Sequence, residues 1–205
     1  MTTGPTIYVV DDDAAVSRAI ASAGALLGLP VRAFASAADF LAACDPAAPG
    51  CLVLDVKMPG MTGLELQRRL ADDGVRIPVV MVSGHADVRI AVEAMTLGAL
   101  TLLEKPFRLD ELIVHLRAAL ARDAATRAAA SRQDAAAARL AALTPKEREV
   151  LERIARGATN RDIAADLGLS VRAVEDRRAR LMKKMDARSV ADLVWVISAT
   201  GEPGG

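Results

Sequence analysis

Aromatic residues are nearly absent: Phe, Tyr and Trp together make up 2% of the 205 residues. That scarcity argues against a surface that binds by stacking bases or sugars on aromatic rings. Cysteine is as scarce. Cys44 and Cys51 are the two in the chain and form no Cys-x-x-Cys, which excludes a disulfide framework and leaves buried free thiols as the expectation. No apolar run approaches the ~20 residues that cross a bilayer. The start, Met1-Thr2-Thr3-Gly4-Pro5, lacks the basic-then-apolar pattern of a signal peptide. A cytoplasmic protein with no membrane partner is therefore expected. An excess of charge is missing too, since 26 basic side chains balance 26 acidic ones. The balance is uneven along the chain, however. Residues 1–123 carry 11 basic and 15 acidic groups, and residues 124–205 carry 15 and 11. A front that tolerates cations and a back that tolerates polyanions fit that asymmetry.

What is present is apolar material, 52% of the chain and rich in Ala and Leu, enough for a packed core. The chain is organised around Cys51-Leu52-Val53-Leu54-Asp55. A short apolar run of this kind reads as a buried strand of a parallel sheet. Met58-Pro59-Gly60 cannot extend it, because Pro lacks a donor and Gly favours a turn. Asp55 thus falls at the carboxyl end of a central strand, where open α/β sheets bind ligands. A buried charge there needs partners. Further strands are predicted at Thr6–Val10, Val31–Phe34, Ile77–Val82 and Leu100–Leu103, alternating with helices over Ala14–Leu27, Ser36–Cys44, Gly63–Ala71 and Asp87–Leu97 and from Leu109 onward. Asp13 reads as an N-cap and Gly28 as a helix stop. Five strands alternating with five helices give a parallel, helix-covered sheet. Asp11, Asp12, Asp55, Ser83 and Lys105 each stand just after an apolar run. Four strands that all end on polar groups point to one shared site.

After about residue 122 the composition shifts. Residues 123–142 are Ala-rich with few large apolar side chains and read as a helical linker, with Ser131-Arg132-Gln133 the place where it could fray. Thr144-Pro145-Lys146-Glu147 then combines a capping box with Pro at the first helical position. Four helices follow, with Val171, Val174, Leu181, Met182 and Met185 expected to face inward on the third. The short helix at Asn160–Leu167, the turn Gly168-Leu169-Ser170 and the longer helix Val171–Met185 make a helix-turn-helix. On its third helix, Arg172, Asp176 and Arg180 share one face, and Arg177, Arg180 and Lys184 an adjacent one. Such side chains contact phosphates or guanine edges, or simply lie on a solvated surface. Asn160 and Arg161 are candidate phosphate contacts.

Two sets of motifs carry a resemblance. Val10-Asp11-Asp12-Asp13, Leu54-Asp55-Val56-Lys57-Met58-Pro59-Gly60, Ser83-Gly84-His85 and Glu104-Lys105-Pro106-Phe107 resemble the receiver domain of bacterial two-component response regulators. Leu143-Thr144-Pro145-Lys146-Glu147-Arg148-Glu149-Val150-Leu151, Asn160-Arg161-Asp162-Ile163-Ala164 and Val174-Glu175 with Arg178 resemble the LuxR-type helix-turn-helix. Together they are similar to the FixJ/NarL class. The resemblance implies a CheY-like receiver over 1–122, the helical linker over 123–142, and an all-α DNA-binding domain over 143–200. It implies that Asp55 accepts a phosphoryl group, and that Asp11, Asp12, Asp55 and the Lys57 carbonyl bind Mg²⁺ or Mn²⁺. It implies further that Ser83 and Lys105 contact the phosphoryl group and that Lys105–Pro106 is cis. The implied partners are a sensor histidine kinase, double-stranded DNA, RNA polymerase and, on phosphorylation, a second copy of the chain. The implied chemistry is limited to phosphoryl transfer and hydrolysis at Asp55.

Two departures stand out. Leu102 occupies the position where the family usually carries an aromatic switch. Arg177 stands where the recognition helix often has histidine, beside an added Asp176. Val88, Val92 and Met95 lie along one helix face, which either packs on the sheet or pairs with a second receiver. Other functions fit less well. An aspartyl phosphatase would use Asp-x-Asp, whereas this chain has Asp55-Val56-Lys57. A small-ligand LuxR sensor would need a separate ligand domain.

Overall fold

A computed structural model of the chain describes residues 4–85 and 87–199. Met1–Thr3 of the start and Thr200, the expected end of the DNA-binding domain, lie outside the described residues. Two compact units divide between Thr126 and Arg127.

The first unit is a five-stranded parallel sheet. Its strands are β1 (Thr6–Val10), β2 (Val31–Phe34), β3 (Gly50–Asp55), β4 (Val79–Ser83) and β5 (Thr101–Glu104), in the order β2-β1-β3-β4-β5. Every residue of β1, β3 and β4 is buried, as expected for strands covered on both faces. Alternation then splits each strand. Ile7, Val9, Cys51, Val53, Val80 and Val82 face α1 (Ala14–Leu27) and the start of α5 (Leu109–Ala141), where Ile20, Leu112 and Leu116 cover them. Tyr8, Val10, Leu52, Leu54 and Met81 face α2 (Ala37–Ala43), α3 (Gly63–Asp72) and α4 (Val88–Thr96), where Phe40, Leu66 and Ala94 do. Each fully buried aliphatic side chain of this kind contributes about 1.5–3 kcal/mol.

Side-chain caps set the helix limits. Asp13 accepts from the Ala15 amide, and Gly28 closes α1 in the left-handed conformation. Thr62 and Glu65 form a reciprocal capping box at the head of α3.

The second unit contains α6 (Pro145–Ala155), α7 (Asn160–Leu167), α8 (Val171–Met185) and α9 (Val190–Ala199). Its core joins Val150, Ile154, Ile163, Val174, Leu181 and Met185 to Ala136 and Leu140 of α5. The fraying considered at Ser131-Arg132-Gln133 does not occur, since α5 is one helix of 33 residues. The stretch expected to be only a linker also contributes to both units. Asp123, buried, accepts from the Gly50 amide at 2.9 Å in the first, and Ala136 and Leu140 lie in the core of the second. A second correction concerns α8. Val174, Leu181 and Met185 are buried and Met182 is partly so, but Val171 is exposed. It occupies the first turn, beyond the end of the core. Trp195 on α9 is 52% exposed, and Tyr8 on β1 is buried.

Candidate phosphoacceptor site and DNA-binding helix

The carboxyl ends of β1, β3, β4 and β5 converge. Asp55 is the last residue of β3 and is 4% exposed. Asp11, just past β1, is 3% exposed, and Asp12 beside it faces solvent. Carboxylate oxygens of the three lie within 4.8 Å of one another. Lys105, just past β5, reaches both buried acids, with Nζ 2.6 Å from Asp11 Oδ2 and 2.8 Å from Asp55 Oδ1. Lys105–Pro106 is cis. Parallel pairing delivers this convergence: Val10 pairs with Leu54, Asp55 with Val82, and Ser83 with Glu104.

The charge balance inside the cluster is incomplete. Burial pushes the Asp11 carboxyl above the ordinary aspartate range, against the hydrogen bonds from Lys105 and the Asp13 amide, and the nearby Asp55 adds to the rise. Burial works against the Lys105 ammonium, but its bonds to Asp11 and Asp55 outweigh that and hold its pKa above the ordinary lysine value. One ammonium thus faces three acids. An all-oxygen donor set with surplus negative charge fits a hard divalent cation.

Ser83, 1% exposed, is the last residue of β4. Its hydroxyl donates to the His85 carbonyl at 2.8 Å and accepts from the His85 amide at 3.2 Å. Lys57 is exposed in the turn after β3. Leu102 is half-buried and packs on the α2–α4 side of the sheet. Val88, Val92 and Met95 are 79%, 59% and 49% exposed. They do not pack on the sheet, because α4 is seated by Ala94 and Ile90 instead.

Gly63 is a site residue that the motifs do not reveal. A Cβ there would lie 2.0 Å from the backbone oxygen of Asp55, and the Gly63 amide donates to the Val56 carbonyl at 3.0 Å. The head of α3 is thus pressed against the backbone of the acid. Gly63→Ala is expected to destabilise the first unit by on the order of 1–3 kcal/mol through overpacking, measured by denaturant melting. A midpoint unchanged from wild type would show that this approach is not tight.

In the second unit, the seven basic or amide candidates separate by their contacts. Arg178 donates to Asn160 Oδ1 at 3.0 Å and so ties α8 to the head of α7. Lys184 donates to Glu147 Oε2 at 2.7 Å. Arg161, Arg172 and Arg180 are exposed and Arg177 is half-buried. None of these four has an ion pair or side-chain hydrogen bond among the described residues.

Glu147 is itself buried and also closes the capping box with Thr144. Lys184, then the Thr144 amide and hydroxyl, hold its carboxyl down at about 2 against an ordinary 4.5. A lowered folded-state pKa means stability that is full above the unfolded value and lost as the acid is protonated. The thermal advantage of wild type over Glu147→Gln should therefore be complete above about pH 4.5 and close as pH falls toward about 2. A gap independent of pH over that window would assign the effect to packing alone.

Known proteins resemble each of the two units. Residues 7–117 match the family described as the response regulator receiver domain, and residues 141–197 match the bacterial regulatory proteins of the luxR family. The transcriptional regulatory protein FixJ of Azorhizobium caulinodans is 44% identical over 195 residues, covering 95% of this chain and 92% of that one. The chain belongs to the response-regulator family. The response regulator protein TodT of Pseudomonas putida is 40% identical, covering 93% of this chain and 84% of that one. Among solved structures, the response regulator StyR aligns with a TM-score of 0.86 at 37% identity over 95% of this chain and 98% of that one. Full-length FixJ from B. japonicum aligns with a TM-score of 0.60 at 38% identity over 98% of each. This response regulator is a phosphorylation-controlled transcriptional regulator and not a conventional enzyme. Its receiver implies a histidine kinase partner and its LuxR-type domain implies DNA. No described helix is long and apolar enough to cross a membrane.

Proposed function

We propose that Asp55 is the phosphoacceptor and that its modification strengthens pairing of two receivers and the binding of DNA. The observation that carries this reading is the buried Asp55 carboxylate held 2.8 Å from Lys105 beside Asp11 and Asp12. Asp55 attacks the phosphorus of a phosphohistidine on the sensor kinase. A P–O bond forms to its carboxylate, the P–N bond breaks, and the electron pair stays on the kinase imidazole. Mg²⁺ or Mn²⁺, held by Asp11, Asp12, Asp55 and the Lys57 carbonyl, supplies positive charge for the transferring phosphoryl oxygens when bound. Lys105 gives a second point charge from the side of β5. Hydrolysis of the acyl phosphate at the same residue returns the protein to rest.

Ser83 couples this event to the surface. Its hydroxyl is spent on the His85 backbone, so donating to a phosphoryl oxygen requires it to leave that bond and move the loop that leads into α4. The exposed Val88, Val92 and Met95 then pair with their counterparts on a second copy. Leu102 has no ring to swing, which leaves the loop to carry the coupling. A modification shifts such an equilibrium only by its differential stabilisation of one state, and about 1–3 kcal/mol is the usual scale. Sedimentation with and without acetyl phosphate should show dimerisation strengthened about 5- to 150-fold. If Ser83→Ala dimerises as well as wild type at equal occupancy of Asp55, the loop is not the coupling element.

The output unit reads DNA through α8 as a cytoplasmic, twofold assembly and works with RNA polymerase. Within this reading the functional segments are a receiver over 1–122, a connecting helix over 123–142 and an output domain over 143–200. A fragment meant to hold the output core needs the helix from residue 127, because Ala136 and Leu140 belong to that core.

A further inference from the structure

The outer face of α8 carries an acid at its centre. Val174, Leu181 and Met185, all fully buried, anchor this helix in the core of the second unit. A helix turns by about 100° per residue, so Asp176 stands about 200° round from Val174, on the midline of the opposite face. Arg172 and Arg180 flank it one turn before and one turn after, and all three are exposed. Opposite charges four residues apart on a helix commonly pair. Here neither arginine pairs with Asp176, and its carboxylate accepts no hydrogen bond among the described residues. Ala173 and Ala179, three residues to either side, are small, so this short acid is not screened by bulk on its own face.

An acid in this place weakens attraction to phosphate, so any gain it brings comes from another part of DNA. With α8 in the major groove, the midline of its outer face meets base edges and its flanks meet the backbone. A carboxylate only accepts. Guanine sets N7 and O6 against it, thymine O4, and adenine the N7 beside its N6 amino group. Cytosine presents a donor, N4, with no acceptor on that edge. We propose that Asp176 is a specificity residue that selects a cytosine in each half of a twofold DNA site by accepting from its N4 amino group. The inference rests on the proposed reading of DNA through α8. Arg172 and Arg180 supply positive charge nearby as the carboxylate loses water on docking. A wrong base leaves the carboxylate desolvated and unpaired, and that cost rejects it.

The test uses the full chain, as wild type, Asp176→Ala and Asp176→Asn. Each protein selects from a library of duplexes with a randomised core, with and without acetyl phosphate and Mg²⁺, and the bound DNA is sequenced. Wild type should enrich a motif with cytosine at one position of each half, favoured about 5- to 150-fold over the other bases, the scale of one mismatched pair. Asp176→Ala should lose the preference at that position alone and bind random DNA at least as well as wild type. Asp176→Asn should admit adenine at the same position, because an amide donates to N7 while it accepts from N6. Asp176 is exposed, so both variants should melt with wild type, and a shifted motif is then no folding effect. A motif that either variant leaves unchanged at every position, or a sensitive position that is not cytosine, would overturn the proposal. Asp176 would then be an ordinary solvated acid, and the reading of DNA through α8 would stand. A wild-type protein that enriches no motif in either condition would overturn that reading itself, and this inference with it.

Discussion

Asp55→Asn protein mixed with a phosphorylated sensor kinase and Mg²⁺ is expected to take up no phosphoryl group, while wild type gains one acid-stable, base-labile acyl phosphate. The substitution is nearly isosteric. An amide oxygen still accepts from Lys105, so the 2.8 Å contact has a replacement and the fold survives. On the proposed reading what disappears is the nucleophile, because a neutral amide cannot attack phosphorus and leave an acyl phosphate. The change also removes one of three clustered acids, relieving the repulsion that helps to raise the Asp11 carboxyl. The variant should therefore melt no lower than wild type in the absence of metal. Intact mass measurement decides the matter, and label retained at the wild-type level in the variant would move the acceptor elsewhere. Lys105→Ala makes the useful contrast. It keeps the nucleophile, and should accept phosphate yet dimerise weakly.

Replacing Arg177 and Arg180 together by Ala should nearly abolish specific DNA binding by the phosphorylated protein. Each residue that reads a base edge is worth about 1–3 kcal/mol, so the pair is worth about 2–6 kcal/mol, on the order of thirtyfold to twenty-thousandfold, if the two act independently. Contacts to phosphate behave differently. They release counterions, and each one lost lowers the slope of log K against log salt by about 0.9. Titrations on a twofold site and on random DNA at several salt concentrations separate the two roles. Equal loss on both DNAs with a shallower slope marks phosphate contacts, and loss confined to the specific site marks base reading. Affinity unchanged on both would remove α8 from the interface. Lys184→Ala should act otherwise, through the stability of a unit in which Glu147 has lost its cation.

The receiver site was legible because its chemistry is written at strand ends. Asp11, Asp55, Ser83 and Lys105 each follow an apolar run, and parallel pairing brings the ends of such runs together. The helix-turn-helix was legible through its caps, Thr144 with Glu147 above all. Thr62 with Glu65 and Thr159 with Asp162 carry the same spacing and form the same boxes. Other features depend on partners far along the chain. Asp123 is an unremarked acid until Gly50, 73 residues earlier, donates to it. Ala136 and Leu140 look too small and too few to organise a helix, and only the groove formed by the later helices buries them. Val171 continues the apolar stripe of α8, but a stripe does not reveal where the core it serves comes to an end. The close approach of Gly63 to Asp55 follows from how α3 is docked, which no local pattern encodes.

The scarcity of aromatic rings has a practical consequence. Trp195 is the sole tryptophan, half-exposed on α9, while the sole tyrosine is buried in β1. Excited at wavelengths that only indole absorbs, the whole protein has a single emitter, and its colour and brightness report the solvent around α9. Melting of the output unit and its capture by DNA can each be followed with no added dye. A change in that emission when Asp55 is phosphorylated would by itself show that the receiver's chemistry has been felt in the other unit.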